Sequence, residues 1–372
     1  MKVLVFSTNG AIRDGITSWT IQNFGLMDRD GIEAVDTIAF DGVPDSILEQ
    51  LNAAQIRTHI LPSRRRRPIA YMHSLHRLVR QNKYDVVHIN GNSGTVAIDL
   101  ISCLGTGARA RIVHSRNTQG RYGTLDKLLS PVMQNLCTDR VACGRDAGHW
   151  LFGTRTFTVI PNGRDFGEYS YNSETRRLVR CELGLSEENV AVGHVGNFNE
   201  AKNHKFLIET FALALGRNPD LRLFLVGDGA LRTDAEAQAR ALGIEQEVVF
   251  LGRSARVPEF INALDIALLP SLYEGFPNVV IEWQISGLPS LVSTAVTDEC
   301  AVTGLVEAIP AGDLYAWAER IACAVPVDRT SASRDAQQLL QAAGYEAREG
   351  AARLRVLYSA IALREELAAS PS

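Results

Sequence analysis

The sequence predicts an α/β chain of two doubly wound domains facing a cleft, and three observations lead there. At 372 residues the chain exceeds one ordinary hydrophobic core and suits two domains of typical size. Short apolar, strand-like runs alternate with helical stretches along nearly its whole length, the pattern of a parallel sheet wrapped by helices. The alternation breaks once, over a polar stretch at 163–176 without clear periodicity, and then begins again.

In the first half, a strand at residues 3–8 is followed by a helix from about Ile16. Further strands are expected at 34–40, 55–61, 84–90, 110–115, 140–143 and 156–160, each separated by a helical stretch. These make a first domain of residues 1–165. The second set, at 190–195, 221–226, 247–251, 265–269 and 290–293, makes a domain of residues 166–350. In the tail, Asp313 can cap a helix running to Ile321, and 346–367 reads as one long helix.

Composition narrows the class. An apolar share of 46% is ordinary for a soluble globular protein, and no apolar run approaches the length of a membrane span. The start has one basic residue, a brief apolar run and no small-residue cleavage pattern, so no signal peptide is expected. The cysteines at 103, 137, 143, 181, 300 and 323 form no C-x-x-C pair and no zinc spacing, which points to a reducing cytoplasm. Residues 1–165 hold 20 Lys and Arg against 14 Asp and Glu, whereas 166–372 hold 18 against 28, so the first domain is the basic one.

The densest chemistry lies at Glu274-Gly-Phe-Pro-Asn-Val-Val-Ile-Glu282. Glu274 falls in a polar turn at the carboxyl end of a strand, where open α/β sheets hold ligands, and Glu282 comes about a turn into a helix opened by Pro277 and stopped by Gly287. Two carboxylates in one crevice suit a ligand with several hydroxyls. Gly275 admits close backbone approach, and the amides of a helix start favour an anion beside it. Both glutamates facing solvent is the alternative. A second anion candidate is Lys202, placed just before Asn203, which can cap the next helix; a solvated loop lysine is the alternative. His114, at the end of a strand, can donate to a sugar hydroxyl or phosphate, or be structural.

The string Glu274 to Glu282, with Ser286-Gly-Leu-Pro289 after it, resembles the glutamate-x7-glutamate motif of the retaining, nucleotide-sugar-dependent glycosyltransferases of the GT-B type, family 4, in its capsular and exopolysaccharide branch. The resemblance implies two Rossmann-like domains, acceptor first and donor second, with the last helix, 351–372, packing back on the first. It implies that Glu274 contacts the donor sugar, Glu282 the ribose, and Gly275, Phe276, Pro277 and Asn278 the diphosphate region. Lys202 would bind the diphosphate, with Gly227 lining the nucleotide and Arg253 near the base. His114 would lie by the sugar, with Arg116 where the family has a second histidine. Of the family's adjacent glycines in the first loop only Gly15 is present, after Asp14. The family also has arginine where this chain has Asn197, so either Arg253 or Arg116 compensates or the donor is held weakly.

The resemblance implies retaining transfer of a sugar from a nucleotide diphospho-sugar, UDP favoured and GDP the alternative, to a hydroxyl of a glycan or lipid-linked glycan in surface polysaccharide synthesis. No tightly bound cofactor is expected: the first loop is not G-x-G-x-x-G, and no D-x-D-like pair or H-E-x-x-H sits in a credible metal site. A sugar-nucleotide epimerase or phosphorylase of similar fold, and a silent nucleotide-sugar-binding protein, are the competing readings. Arg64 to Arg67, ahead of an amphipathic stretch carrying Met72, Leu75 and Val79, reads either as a solvated basic face or as a contact with anionic lipid at the inner face of the cytoplasmic membrane. Nucleic acid is not expected, because the run lacks aromatic interleaving. Oligomeric state has no signal in the sequence.

Overall fold

The structure, a computed structural model, describes residues 1–118 and 123–369, without the side chains of 365–369. It divides into two compact units, residues 1–163 with the chain from Gly344 onward, and Arg164–Ala343.

The first unit runs β1 (Lys2–Ser7), α1 (Gly15–Leu26), β2 (Ala34–Phe40), α2 (Asp45–Ala53), β3 (Arg57–Leu61), α3 (Pro68–Asn82), β4 (Val86–Asn90), α4 (Ala97–Ser102), β5 (Ala110–Ser115), α5 (Gly123–Leu136), β6 (Asp139–Ala142), α6 (Arg145–Phe152) and β7 (Thr158–Val159). The second runs α7 (Phe166–Tyr169), α8 (Ser173–Glu182), β8 (Val190–Val195), α9 (His204–Leu215), β9 (Leu221–Val226), α10 (Arg232–Ala241), β10 (Val248–Gly252), α11 (Val257–Ala263), β11 (Ile266–Leu269), α12 (Asn278–Ile285), β12 (Ser290–Ser293), β13 (Val306–Ile309), α13 (Leu314–Ala322) and α14 (Arg329–Ala342). The last helix, α15 (Ala347–Ala369), belongs to the first unit.

Both sheets are parallel throughout, ordered β3-β2-β1-β4-β5-β6-β7 and β10-β9-β8-β11-β12-β13. Each is buried on both faces, as parallel sheets covered by helices are. Along β1, Val3 and Val5 enter one core with Trp19, Phe24 and, from α15, Leu354 and Tyr358. Leu4 and Phe6 enter the other with Tyr71, Leu75 and Val79. The order of strand addition reverses between β1 and β4 and between β8 and β11, which creates a crevice at the carboxyl ends of each pair.

Four local expectations change. The stretch 163–176 is not patternless: Asp165 caps α7 by accepting from Gly167 N (2.8 Å), and Asn172 caps α8 by accepting from Thr175 N (2.8 Å). The edge strand β13 and helix α14 were not expected, because Val306-Glu-Ala-Ile309 is short and mixed in polarity and α14 is polar on most of its surface. Asn203 stands at the N-cap of α9 in left-handed backbone, but its side chain makes no cap bond and instead donates to Pro270 O at 3.3 Å. Arg64 is not a surface arginine. It is buried against Asp99 (2.8 Å) and Thr95 O (2.6 Å), and Tyr71 donates to the same carboxylate at 2.6 Å. The apolar stripe of α3 is likewise turned into the core, leaving Arg65, Arg66 and Arg67 exposed beside Ile69, which is 71% exposed.

Candidate active site

The crevice of the second unit is built from the loops that leave β8 and β11. After β8, Gly196 and Asn197 lead to the buried Phe198, and Asn199 accepts from Lys202 N (3.2 Å) to close one turn of 3-10 helix over Glu200–Lys202. This turn sends the Lys202 side chain back over Gly196, where a Cβ would stand 3.2 Å from Lys202 Cε. After β11, Ser271 is fully buried and donates to Glu274 Oε1 at 2.7 Å. Lys202 Nζ reaches the same oxygen at 2.5 Å. The two loops are also tied by Leu272 N donating to Ala201 O (2.8 Å). A cation and a carboxylate from different strands thus meet at the switch point, each only partly screened by solvent.

Glu282, on α12, is 8% exposed and paired with Arg164, whose Nε lies 2.7 Å from Glu282 Oε1. Its charge has a local cost: Glu168 is pushed up, first by burial and then by Glu282. At the start of α12, Asn278 N is turned to Phe276 O (3.0 Å) and Val280 N to Pro277 O (3.0 Å), so two amides expected to face an anion are already engaged. Gly275, Phe276 and Asn278 lie partly buried along this turn, and Pro277 is buried.

Gly227 laces the neighbouring loops together. Its φ is +145°, a Cβ on it would fall 1.9 Å from Gly196 O, and its N–H donates to Gly252 O at 2.9 Å. Gly196 N in turn donates to Val226 O at 2.9 Å. Asn197 and Arg253 are exposed on either side of this lacing, and Asn197 makes no side-chain hydrogen bond among the described residues. Beneath Gly196 lies His194, fully buried, with Nδ1 donating to Leu268 O (2.8 Å). Burial, then His204, holds it neutral.

The first unit is arranged differently. Gly15 begins α1, but Asp14 accepts from Ile16 N (3.1 Å) and Thr17 N (2.8 Å), so a carboxylate already fills the helix start. His114 is 0% exposed. Arg116 stacks over Trp19 at 3.6 Å and donates to Asn90 (2.8 Å) and Asn162 (2.7 Å). Two of its guanidinium nitrogens are therefore engaged within its own unit.

Sequence reasoning picked out Lys202, Glu274 and Glu282 but missed Arg164, Ser271 and His194. Ser271 lies three residues before Glu274 and His194 two before Gly196, whereas Arg164 is 118 residues from its partner. Among the described residues no group of three or more His, Cys, Asp or Glu is placed to hold a metal ion, and no helix is long and apolar enough to cross a membrane.

Two doubly wound parallel units in one chain, of which the second carries a lysine and two glutamates around its switch point, are the architecture of the GT-B glycosyltransferases. The fold agrees over nearly the full chain with the crystal structure of Anabaena HepE in complex with UDP (TM-score 0.81, 20% identity, 97% of this chain and 100% of that one) and with its complex with UDP-glucose (0.78, 18%, 97% and 100%). The chain belongs to the group 1 glycosyl transferases: residues 189–325 match that family, and the putative glycosyltransferase EpsF of Bacillus subtilis is 30% identical over 373 residues, 96% of each chain. A UDP-Gal:α-D-GlcNAc-diphosphoundecaprenol α-1,3-galactosyltransferase of Escherichia coli is 28% identical over 244 residues, 62% of each. The protein is a glycosyltransferase that uses a nucleotide diphospho-sugar.

Proposed function

We propose that this chain transfers a sugar, with retention of configuration, from a UDP-sugar to a hydroxyl of a glycan carried on a lipid diphosphate. The observation that carries the reading is the Lys202–Glu274 pair at the β8/β11 switch point. Donor binding resolves this pair into two roles: Lys202 turns its charge to the diphosphate, and Glu274 accepts from hydroxyls of the sugar. Glu282, held in place by Arg164 on one oxygen, accepts from the ribose diol. The retaining step is front-side. The acceptor oxygen forms its bond to the anomeric carbon as the bond to the diphosphate oxygen breaks, and the acceptor proton passes to that leaving oxygen. His114, on the first unit, donates to a ligand oxygen.

The HepE complexes and the donor and acceptor named for the E. coli relative support the UDP-sugar and the lipid-linked acceptor. Exposed Arg65, Arg66 and Arg67 beside Ile69 suit an anionic membrane surface carrying that acceptor, and so support a location at the inner face of the cytoplasmic membrane. A screen of nucleotide sugars with lipid-linked glycan acceptors, read by mass spectrometry, is expected to yield a glycosylated acceptor and free UDP. Conversion of donor to an isomeric nucleotide sugar without acceptor would refute transfer in favour of epimerisation. Liposome binding unaffected by changing Arg65, Arg66 and Arg67 together to Ser would remove the membrane contact.

A further inference from the structure

The first unit contains a buried polar chain that joins three elements distant in sequence. Tyr358, on α15, places its hydroxyl 2.8 Å from His88 Nδ1, across 270 residues. His88 Nε2 lies 3.0 Å from His114 Nδ1. All three side chains are fully buried, and His114 Nε2 has no partner among the described residues. Burial, reinforced by Arg116, holds both histidines neutral, His88 down to about 3, and burial keeps the Tyr358 hydroxyl protonated.

A neutral imidazole has one N–H and one lone pair, so the protons along this chain can run in only two orders. In the first, Tyr358 donates to His88 Nδ1, His88 donates from Nε2 to His114 Nδ1, and His114 carries its own proton on Nε2. In the second, every bond is reversed: His114 and His88 donate from Nδ1, and Tyr358 only accepts. The Tyr358 hydroxyl has no second partner among the described residues. The reversed order therefore strands its proton and also leaves His114 Nε2 unsatisfied, two buried groups without partners against one. Unpaired buried donors are costly enough for that difference to select the first order.

We infer that Tyr358 and His88 are positioning residues that fix His114 as a hydrogen-bond donor at Nε2, directed to a lone pair of a sugar hydroxyl or phosphate oxygen. This rests on the ligand role proposed above for His114. Fixed this way, His114 cannot accept the acceptor's proton, which leaves that task to the departing diphosphate. The return of α15 to the first unit then supplies the hydroxyl that orders the chain.

The test uses the full-length protein labelled with 15N-histidine and two-bond 1H–15N correlation spectra. In the wild type both His88 and His114 are expected as Nε2–H tautomers that do not titrate across the neutral range. Tyr358→Phe is expected to lose the single tautomer and to lower kcat/KM about tenfold, the scale of one ordering hydrogen bond. His88→Gln can still accept from Tyr358 through its carbonyl and donate to His114 through its amide. It is expected to keep His114 on Nε2–H and retain more of the rate than His88→Leu, with melting curves recorded for all variants. A wild-type His114 protonated on Nδ1, or His88→Gln losing as much as His88→Leu, would overturn the ordering. An unchanged rate in His114→Leu, with the expected wild-type tautomers, would instead overturn the ligand role of His114 while the proton order stood.

Discussion

The two units share one strand order up to their sixth strand, yet their switch points are chemically opposite. After β1, Asp14 fills the start of α1 with its own carboxylate. After β8, the start of α9 has no side-chain cap, and Lys202 stands one residue before Asn203. Topology provides a crevice at both places, but an anion is favoured only where helix amides are open and positive charge is near. On the reading proposed above, the same fold serves as an anion site in one copy and a self-capped turn in the other.

Short of removing Lys202 itself, the largest expected effect is on Glu274. Glu274→Gln is expected to lower kcat by about one to two orders of magnitude, as for a polar contact that strengthens in the transition state. The same change frees Lys202 from its carboxylate, so UDP without a sugar is expected to bind as well or more tightly. Equal losses in UDP affinity and turnover would mean that Glu274 does not divide from Lys202 as proposed.

Glu282→Gln is expected to weaken donor binding by about 1–3 kcal/mol, measured by titration, because a charge-assisted bond to the ribose is lost. Unchanged affinity would remove the ribose role and leave Glu282 as the structural partner of Arg164.

At the opposite ends of the strands the first unit carries a titratable weak point. Burial would raise the Asp36 carboxyl, but hydrogen bonds from His59, Arg57 and Tyr84 outweigh it and bring it down to about 2. A folded value below the unfolded value means stability that is present above about pH 4 and lost as the pH falls toward 2, of the order of 2 kcal/mol. Acid unfolding followed at Trp19, in the first unit, is expected to shift to higher pH and lose this steepness in Asp36→Asn. An unchanged profile would contradict it.

Asp14→Ala is expected to cost about 1 kcal/mol of stability, the scale of a lost N-cap, with UDP affinity unchanged. Tighter UDP binding in this variant would show that the first switch point is a latent anion site and would blur the contrast. The smallest effect is expected for Asn197→Arg, with donor affinity unchanged or improved by less than about 1 kcal/mol, as for an exposed charge. A large gain in turnover would show that the charge absent at 197 had not been made up elsewhere.

Much of the frame was legible because buried parallel strands are continuous apolar runs: Ala34–Phe40, Ala110–Ser115, Val190–Val195, Leu221–Val226 and Ser290–Ser293 have the bounds their sequences suggest. Lys202 and Glu274 were legible as separate loop residues, one just before a helix start and the other at a strand's carboxyl end. What local sequence could not convey was pairing. Nothing near Arg164 marks Glu282 as its partner, and nothing in Tyr358 points to His88. Four consecutive arginines look alike until packing turns Arg64 in to meet Asp99 and leaves the other three outside. His114 looked like an edge residue because it nearly ends its strand, but its ring is fully buried, edge-on to Trp19.

The most direct measurement is a calorimetric titration of UDP into the wild type and Lys202→Ala at one ionic strength, with initial rates taken on the same preparations. If the β8/β11 switch point is the diphosphate site, the variant is expected to bind UDP at least about tenfold more weakly, the cost of one charged contact, and to show no measurable turnover. Equal UDP affinity and full activity in Lys202→Ala would contradict it.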